Sequence, residues 1–213
     1  MDRIEMLKEA DRERRLFGAR SHGYGVIPVL PDELDRLEQM CGCTLPGMYR
    51  SHLLAYGGGA GPYHGLMTPA DILKELDSIY DSYDLEFPDD VNRAETFSLE
   101  GELSDAIGSA VEGGIRDDFM FESPEKVEGF LPICDQGCEY MTVMVTQGRF
   151  AGYVFDATCM GQSGASWQPA KRPVGAVLRA DRLEIPGFPV FPTFDEWYDG
   201  WLERCLYDLE IMD

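Results

Sequence analysis

Apolar positions recur at helical spacing in four stretches of the chain and at strand spacing in one block. Leu34, Leu37 and Cys41 stand three and four apart, as one buried helix stripe requires. Pro31 suits the first turn of that helix, Asp32 and Glu33 favour its positive end, and Gly42 is a natural stop. A second helix is predicted from Thr44-Leu45-Pro46 through Tyr56, with Met48, Tyr49, His52, Leu53 and Tyr56 on one side. Thr68-Pro69-Ala70-Asp71 supplies cap, proline and acid for a third, which carries Ile72, Leu73, Leu76, Ile79, Tyr80 and Tyr83 inward. Thr193-Phe194-Asp195-Glu196 is a capping box, followed at helical spacing by Trp197, Trp201, Cys205 and Leu209. The two tryptophans on one stripe predict a helix anchored on a sheet.

Between the third and last helices the period shortens. Phe130–Ile133, Tyr140–Thr146 and Gly152–Asp156 read as strands, the last two as a hairpin turning at Gln147-Gly148. Val143 and Val145 alternate with Thr142, Met144 and Thr146, which predicts one deeply buried face and one less so. Residues 134–139 read as a turn, 161–173 as a loop holding Trp167, and 174–178 as a further strand. Residues 1–16 predict a surface helix and residues 18–30 a loop or short extended piece.

Two stretches break the pattern. Tyr56-Gly-Gly-Gly-Ala-Gly-Pro-Tyr-His-Gly-Leu66 holds five glycines and a proline, so it is neither helix nor strand but a sharply folded crossing between two helices. Gly57, Gly58, Gly59, Gly61, Pro62 and Gly65 are its structural turn residues. From Asp77 to Glu128 sixteen acids face only Arg93, Arg116 and Lys126, and Leu103, Ile107 and Val111 suggest a short helix capped by Ser104. This stretch reads as an acidic insertion, about residues 84–128, within one domain. The division is an N-terminal helix and extended segment over 1–30 and a main domain over 31–213.

Charge narrows the function. Eighteen Lys and Arg against 39 Asp and Glu leave a formal net charge of −21. Binding to nucleic acid rests on neutralising phosphates with basic side chains, and docking on anionic membranes needs the same, so neither partner fits. A basic protein partner would be steered in. The start of the chain is charged from its second residue and lacks the apolar core of a secretion signal, which predicts a cytoplasmic protein with free thiols.

Candidate chemistry is sparse. The glycine loop lacks the Gly-Lys-Ser/Thr ending of a phosphate cradle, and Pro62 removes a donor. Cys134 and Cys138 have zinc-ligand spacing, whereas Cys41 and Cys43 stand too close for it. Cys138, His64 and Asp135 form a nucleophile set only if they meet in space. Asp135 and Glu139 are a possible carboxylate pair, against which Asp135 serves as an ordinary turn cap. The residues singled out for partner contact are the acids Asp77, Asp81, Asp84, Glu86, Asp89 and Asp90, which would oppose a basic surface, with Tyr63, His64 and Trp167 as aromatic anchors. No catalytic residue, metal or cofactor is assigned.

The helix into Leu45-Pro46, the glycine crossing, Leu131-Pro-Ile-Cys-Asp-Gln-Gly-Cys138 and Phe194-Asp-Glu-Trp-Tyr-Asp-Gly-Trp-Leu202 resemble, in that order, the SUKH superfamily of cell-wall assembly regulators and killer-toxin-resistance proteins. The resemblance spans roughly residues 31–205, outside the acidic insertion. Glu139 departs from it, since relatives often carry glycine there. The resemblance implies an α+β fold, a single domain with a mostly antiparallel sheet flanked by helices. It also implies a non-enzymatic protein-binding role. Bacterial members are typically immunity proteins that neutralise a cognate toxin, many of them nucleases, and fungal members are regulatory hubs. The expected function is therefore an immunity protein that occludes a toxin's active site, the alternative a scaffold binding several proteins.

Overall fold

The computed structural model describes residues 3–82, 96–98, 101, 103–106, 121–123, 126–158, 165–170 and 191–212. The fold is α+β. Six labelled helices, α1 (Arg3–Ala10), α2 (Ala19–His22), α3 (Pro31–Cys41), α4 (Gly47–Tyr56), α5 (Pro69–Ser82) and α6 (Phe194–Met212), surround the strands β1 (Val26–Ile27), β2 (Gly58–Gly59), β3 (Thr96–Ser98), β4 (Phe121–Ser123), β5 (Lys126–Glu128), β6 (Phe130–Gly137), β7 (Tyr140–Val145), β8 (Val154–Thr158) and β9 (Ala165–Pro169). The last five of these except β5 join β4 in an antiparallel sheet of order β4-β9-β8-β7-β6. β3 and β5 form a separate parallel pair.

The predicted helix boundaries hold where local chemistry is strong. Thr68 and Asp71 cap α5 reciprocally: the Asp71 amide donates to Thr68 Oγ1 (3.2 Å), and the Thr68 amide donates to Asp71 Oδ2 (3.1 Å). The Thr193 amide donates to Glu196 Oε2 (3.0 Å) at the start of α6. Leu34, Leu37, Tyr49, Leu53, Ile72, Leu76 and Ile79 are buried as their spacing predicts, and they share one hydrophobic core with the strands. Tyr56, expected on the inner side of α4, is exposed instead.

Five further expectations change. The N-terminal helix stops at Ala10, and its Ile4 and Leu7 are buried, because α1 packs on α6 rather than lying free. α6 rests on α1 and α4, not chiefly on the sheet, although the Phe194 amide ties its start to the Gly152 carbonyl (2.9 Å). Residues 134–137 continue β6, so only Cys138 and Glu139 turn. Residues 165–169 are a strand, not a loop, paired between β8 and β4. Finally, Met141 to Thr146 are all buried, since β7 is an inner strand covered on both faces. Residues 174–178 lie outside the described residues, as do Tyr83, Ile107 and Val111. Within the acidic stretch, residues 103–106 are helical and Leu103 joins the core, while Ser104 accepts a hydrogen bond from Arg149 (3.1 Å).

The β6–β7 turn explains the departure at Glu139. Gly137 pairs with Tyr140, leaving a two-residue loop in which both Cys138 (φ 52°) and Glu139 (φ 67°) are left-handed. Such turns favour glycine at the second position, because a side chain there crowds the backbone. Glu139→Gly is therefore expected to stabilise the protein by about 1 kcal/mol, read as a higher urea midpoint with an unchanged slope.

Candidate functional site

The glycine crossing is built as an extension of the sheet. Gly57 ends α4 with its amide on the Leu53 carbonyl (2.8 Å), and Gly58 and Gly59 pair antiparallel with Ile27 and Val26. Gly59 pairs with Leu66, and Leu66 in turn bridges to Cys134 on β6. Further bonds pin the crossing along that edge: His64 N to Asp135 O (3.2 Å), Met67 N to Ile133 O (2.9 Å) and the Cys134 thiol to Pro62 O (3.0 Å). Gly61 and Pro62 are buried, and the Gly65 amide closes the turn on Pro62 O (2.9 Å). From the other side the Tyr198 hydroxyl of α6 donates to Ala60 O (2.8 Å). The loop is thus held as rigidly as a strand.

This construction creates a cleft of about 460 Å³ between α2, β1, the crossing and α5. Its walls include Val26, Ile27, His64, Asp71, Glu75 and Asp135. Two apolar side chains on its wall stand in water, Ile27 51% exposed and Val26 47%, and Phe17 (70%) and Leu30 (58%) are exposed on the flanking segments of the chain. Phe17 meets the rings of Tyr63 (6.2 Å) and His64 (6.1 Å), which joins it to the same surface. Burial and then the Asp135 charge raise the Glu75 carboxyl above its ordinary range, with Lys74 opposing. Large apolar side chains in water beside a crowded acidic wall are the features of a protein contact surface.

The residues singled out from sequence divide accordingly. His64 is exposed on the cleft wall and hydrogen-bonded through Nδ1 to the Ser21 hydroxyl (2.9 Å). Tyr63 is half-buried, and its hydroxyl is pushed up to about 12 by burial, then by Asp156 and Cys134. Asp77 is exposed on α5, and Asp81 follows on the same helix. Trp167 lies on β9 opposite Phe121 and Ala157. Asp84, Glu86, Asp89 and Asp90 lie outside the described residues. Phe17, Val26, Ile27 and Leu30 escaped the sequence reading, because an isolated apolar residue in a loop looks the same whether buried or exposed.

The sharper chemical readings find no support in the bonding. Asp135 Oδ1 accepts its own turn amide, Gly137 N (2.6 Å), as a turn cap does, while His64 Nδ1 is engaged with Ser21. Cys134 is buried and its thiol is shifted upward, chiefly by desolvation. Among the described residues no group of three or more His, Cys, Asp or Glu side chains is placed to hold a metal.

A second cleft, about 490 Å³, lies between α1, α4 and α6 and is lined by Arg3, His52, Tyr56, Tyr198 and Asp199. Arg3 is paired with Asp199 (2.9 Å) and more distantly with Glu203 (3.9 Å). His52 Nε2 is buried with no hydrogen-bond partner among the described residues, and the rings of Tyr198 (4.3 Å) and Phe194 (5.0 Å) face the imidazole. Burial pushes its pKa from 6.5 down to about 4, against a smaller opposing pull from Asp199. The folded value is the depressed one, so the unfolded chain binds the proton first. Stability from His52 is whole above pH 6.5 and is lost as pH falls towards 4, by roughly 3 kcal/mol. His52→Phe is expected to flatten that limb in urea titrations, leaving the smaller share from His22, whose pKa burial also lowers.

A family model described as the SMI1 / KNR4 family (SUKH-1) matches residues 28–200 of the 213. The chain belongs to this family. Neither a curated protein nor a solved structure matches it. The match takes in the glycine crossing, the β6–β7 hairpin and the start of α6, the segments whose motifs carry the resemblance, together with the acidic stretch between them. Among the described residues no helix is long and apolar enough to cross a membrane.

Proposed function

We propose that this chain is a non-enzymatic binding protein of the immunity type, which neutralises a cognate toxin by covering its active site. The observation that carries the reading is the exposed apolar group of Phe17, Val26 and Ile27 at a cleft walled by Asp71, Glu75 and Asp135. The apolar side chains are the anchors, and the acids, reinforced by Asp77 and Asp81 on α5, favour a basic partner such as a nuclease. Tyr63 and His64 complete the surface from the crossing. An intracellular scaffold that binds several proteins through the same face is the second reading, since the family accommodates it as well.

Affinity capture with the tagged protein, washed at low and high salt, separates the two. A single basic toxin domain is expected. With purified components, Ile27→Asp should weaken binding about 30-fold or more, the effect of losing an interface anchor worth about 2 kcal/mol. Neutralising Asp71 and Asp77 should chiefly slow association and reduce its salt dependence. Several unrelated partners, or one partner indifferent to Ile27→Asp in a folded variant, would overturn the immunity reading.

A further inference from the structure

We propose that Cys41 and Cys43 are a thiol-oxidation site, which a low-molecular-weight disulfide converts to an internal Cys41–Cys43 disulfide. The pair is built by the end of α3. Cys41 is its last residue, Gly42 follows in the left-handed conformation (φ 59°, ψ 29°), and the Cys43 amide returns to the Glu38 carbonyl (3.1 Å). Two residues apart, the Cα atoms lie at most about 7 Å from one another even in extended chain, and the left-handed turn at Gly42 brings them closer. That places them within the range a disulfide bridges, about 4.4–6.8 Å.

Both side chains pack against the same hydrophobic core, which places the two thiols on one side of the turn. Both are free and half-buried, so a small reagent has access, while the core behind them limits bulkier ones. Their roles differ. The Cys41 thiol beside it holds the Cys43 thiol below its ordinary value, against burial and the nearby Glu38 charge, whereas the influence of Cys43, and then burial, raises Cys41. Cys43 is thus the attacking thiolate and Cys41 the resolving thiol.

The exchange balances without any other reactant. Cys43 thiolate attacks one sulfur of glutathione disulfide, and one glutathione leaves as thiolate and takes up a proton. Cys41 then gives up its proton, its sulfur attacks that of Cys43, and the second glutathione leaves. Two protein thiols are oxidised and one small disulfide is reduced to two thiols. The bond closes a small ring whose sulfurs are only half-buried, so a small thiol can reach and reduce it again.

The remaining described cysteines serve as internal references. Cys134 and Cys205 are buried with thiols pushed upward, Cys205 to about 12, and Cys138 is exposed on the β6–β7 turn. The test equilibrates the full-length reduced protein in glutathione buffers of increasing oxidation, blocks remaining thiols by acid quench and alkylation, and maps peptides by mass spectrometry. The expected wild-type peptide spanning Cys41 and Cys43 is lighter by the hydrogens lost, carries no glutathione, and reverts with dithiothreitol. Cys41→Ser should convert this to a stable glutathione adduct on Cys43, rising from a trace to near one per chain. Wild-type protein with glutathione on Cys43 and a free Cys41 would overturn the proposal. So would two intact thiols at 41 and 43 under conditions where Cys138 has reacted. The wild-type arm decides the matter even if the serine variant folds poorly, and its outcome is independent of whether the protein binds a toxin.

Discussion

Gly65→Ala is expected to destabilise the protein by about 4 kcal/mol or more, lowering its thermal midpoint by roughly 10 °C. Gly65 stands at φ 107°, where a side chain is strained before any neighbour is considered. An added Cβ would also lie 2.2 Å from the Gly59 carbonyl oxygen, a backbone atom that cannot rotate away. Gly59 is fixed in turn, paired with Val26 on one side and by two hydrogen bonds with Leu66 on the other (2.7 and 2.8 Å). Relieving the clash therefore means separating β1 and β2 from the main sheet at Leu66. Gly42→Ala is the control. It has a similar sign of φ (59°) but nothing within 4 Å of the added atom, so the cost should be only the left-handed penalty of about 1 kcal/mol. Thermal unfolding of both variants, followed by circular dichroism, checks the difference. Equal losses would mean that the crossing is not packed as described.

Asp11→Ala is expected to cost about 3–5 kcal/mol, by removing a buried charge from the partners that satisfy it. Asp11 is wholly buried between α1 and α2. Its carboxylate accepts the Tyr24 hydroxyl (2.7 Å) and the amides of Arg15 (2.7 Å) and Leu16 (3.2 Å), with the Arg15 guanidinium 4.0 Å away. Alanine would take the shared acceptor away from all three donors. Burial on its own would raise the carboxyl pKa, but these hydrogen bonds and the Arg15 charge together bring it below 3.8. A folded value below the unfolded one means that Asp11 stabilises fully above the ordinary carboxylate range and loses that effect as pH falls through it. The window lies below that of His52, so the two are separable in one titration. Urea unfolding at pH 7 and pH 3 should show a large Asp11→Ala deficit at the first and a smaller one at the second. The Tyr24 hydroxyl, shifted upward by burial and then by its bond to Asp11, stays protonated throughout.

Much of this fold is legible in the chain itself, wherever one residue's own chemistry decides its backbone. The caps at Thr68–Asp71 and Thr193–Glu196, the stop at Gly42 and the buried stripes of α3 and α5 follow from spacing and hydrogen-bonding capacity over a few residues. So does the existence of a sharp crossing at residues 56–66, though not the short strand Gly58–Gly59 that it contains. What that crossing does was not legible. Its place along β6 depends on bonds between residues about seventy positions apart, such as Met67 to Ile133 and Pro62 to Cys134.

The same limit applies to the candidate site. The acids of α5 and the aromatics Tyr63 and His64 stand out by charge and ring alone. The exposure of Phe17, Val26, Ile27 and Leu30 does not, because burial is a property of the neighbours a side chain receives. Likewise Met144, polar-facing by alternation, is buried because further strands and helices cover both sides of β7. Sequence determined where the main helices start and stop and where the chain turns sharply, through interactions spanning a turn or less, but not that residues 134–137 and 165–169 extend. Tertiary structure decided which faces meet water, because that depends on contacts between segments far apart in the chain.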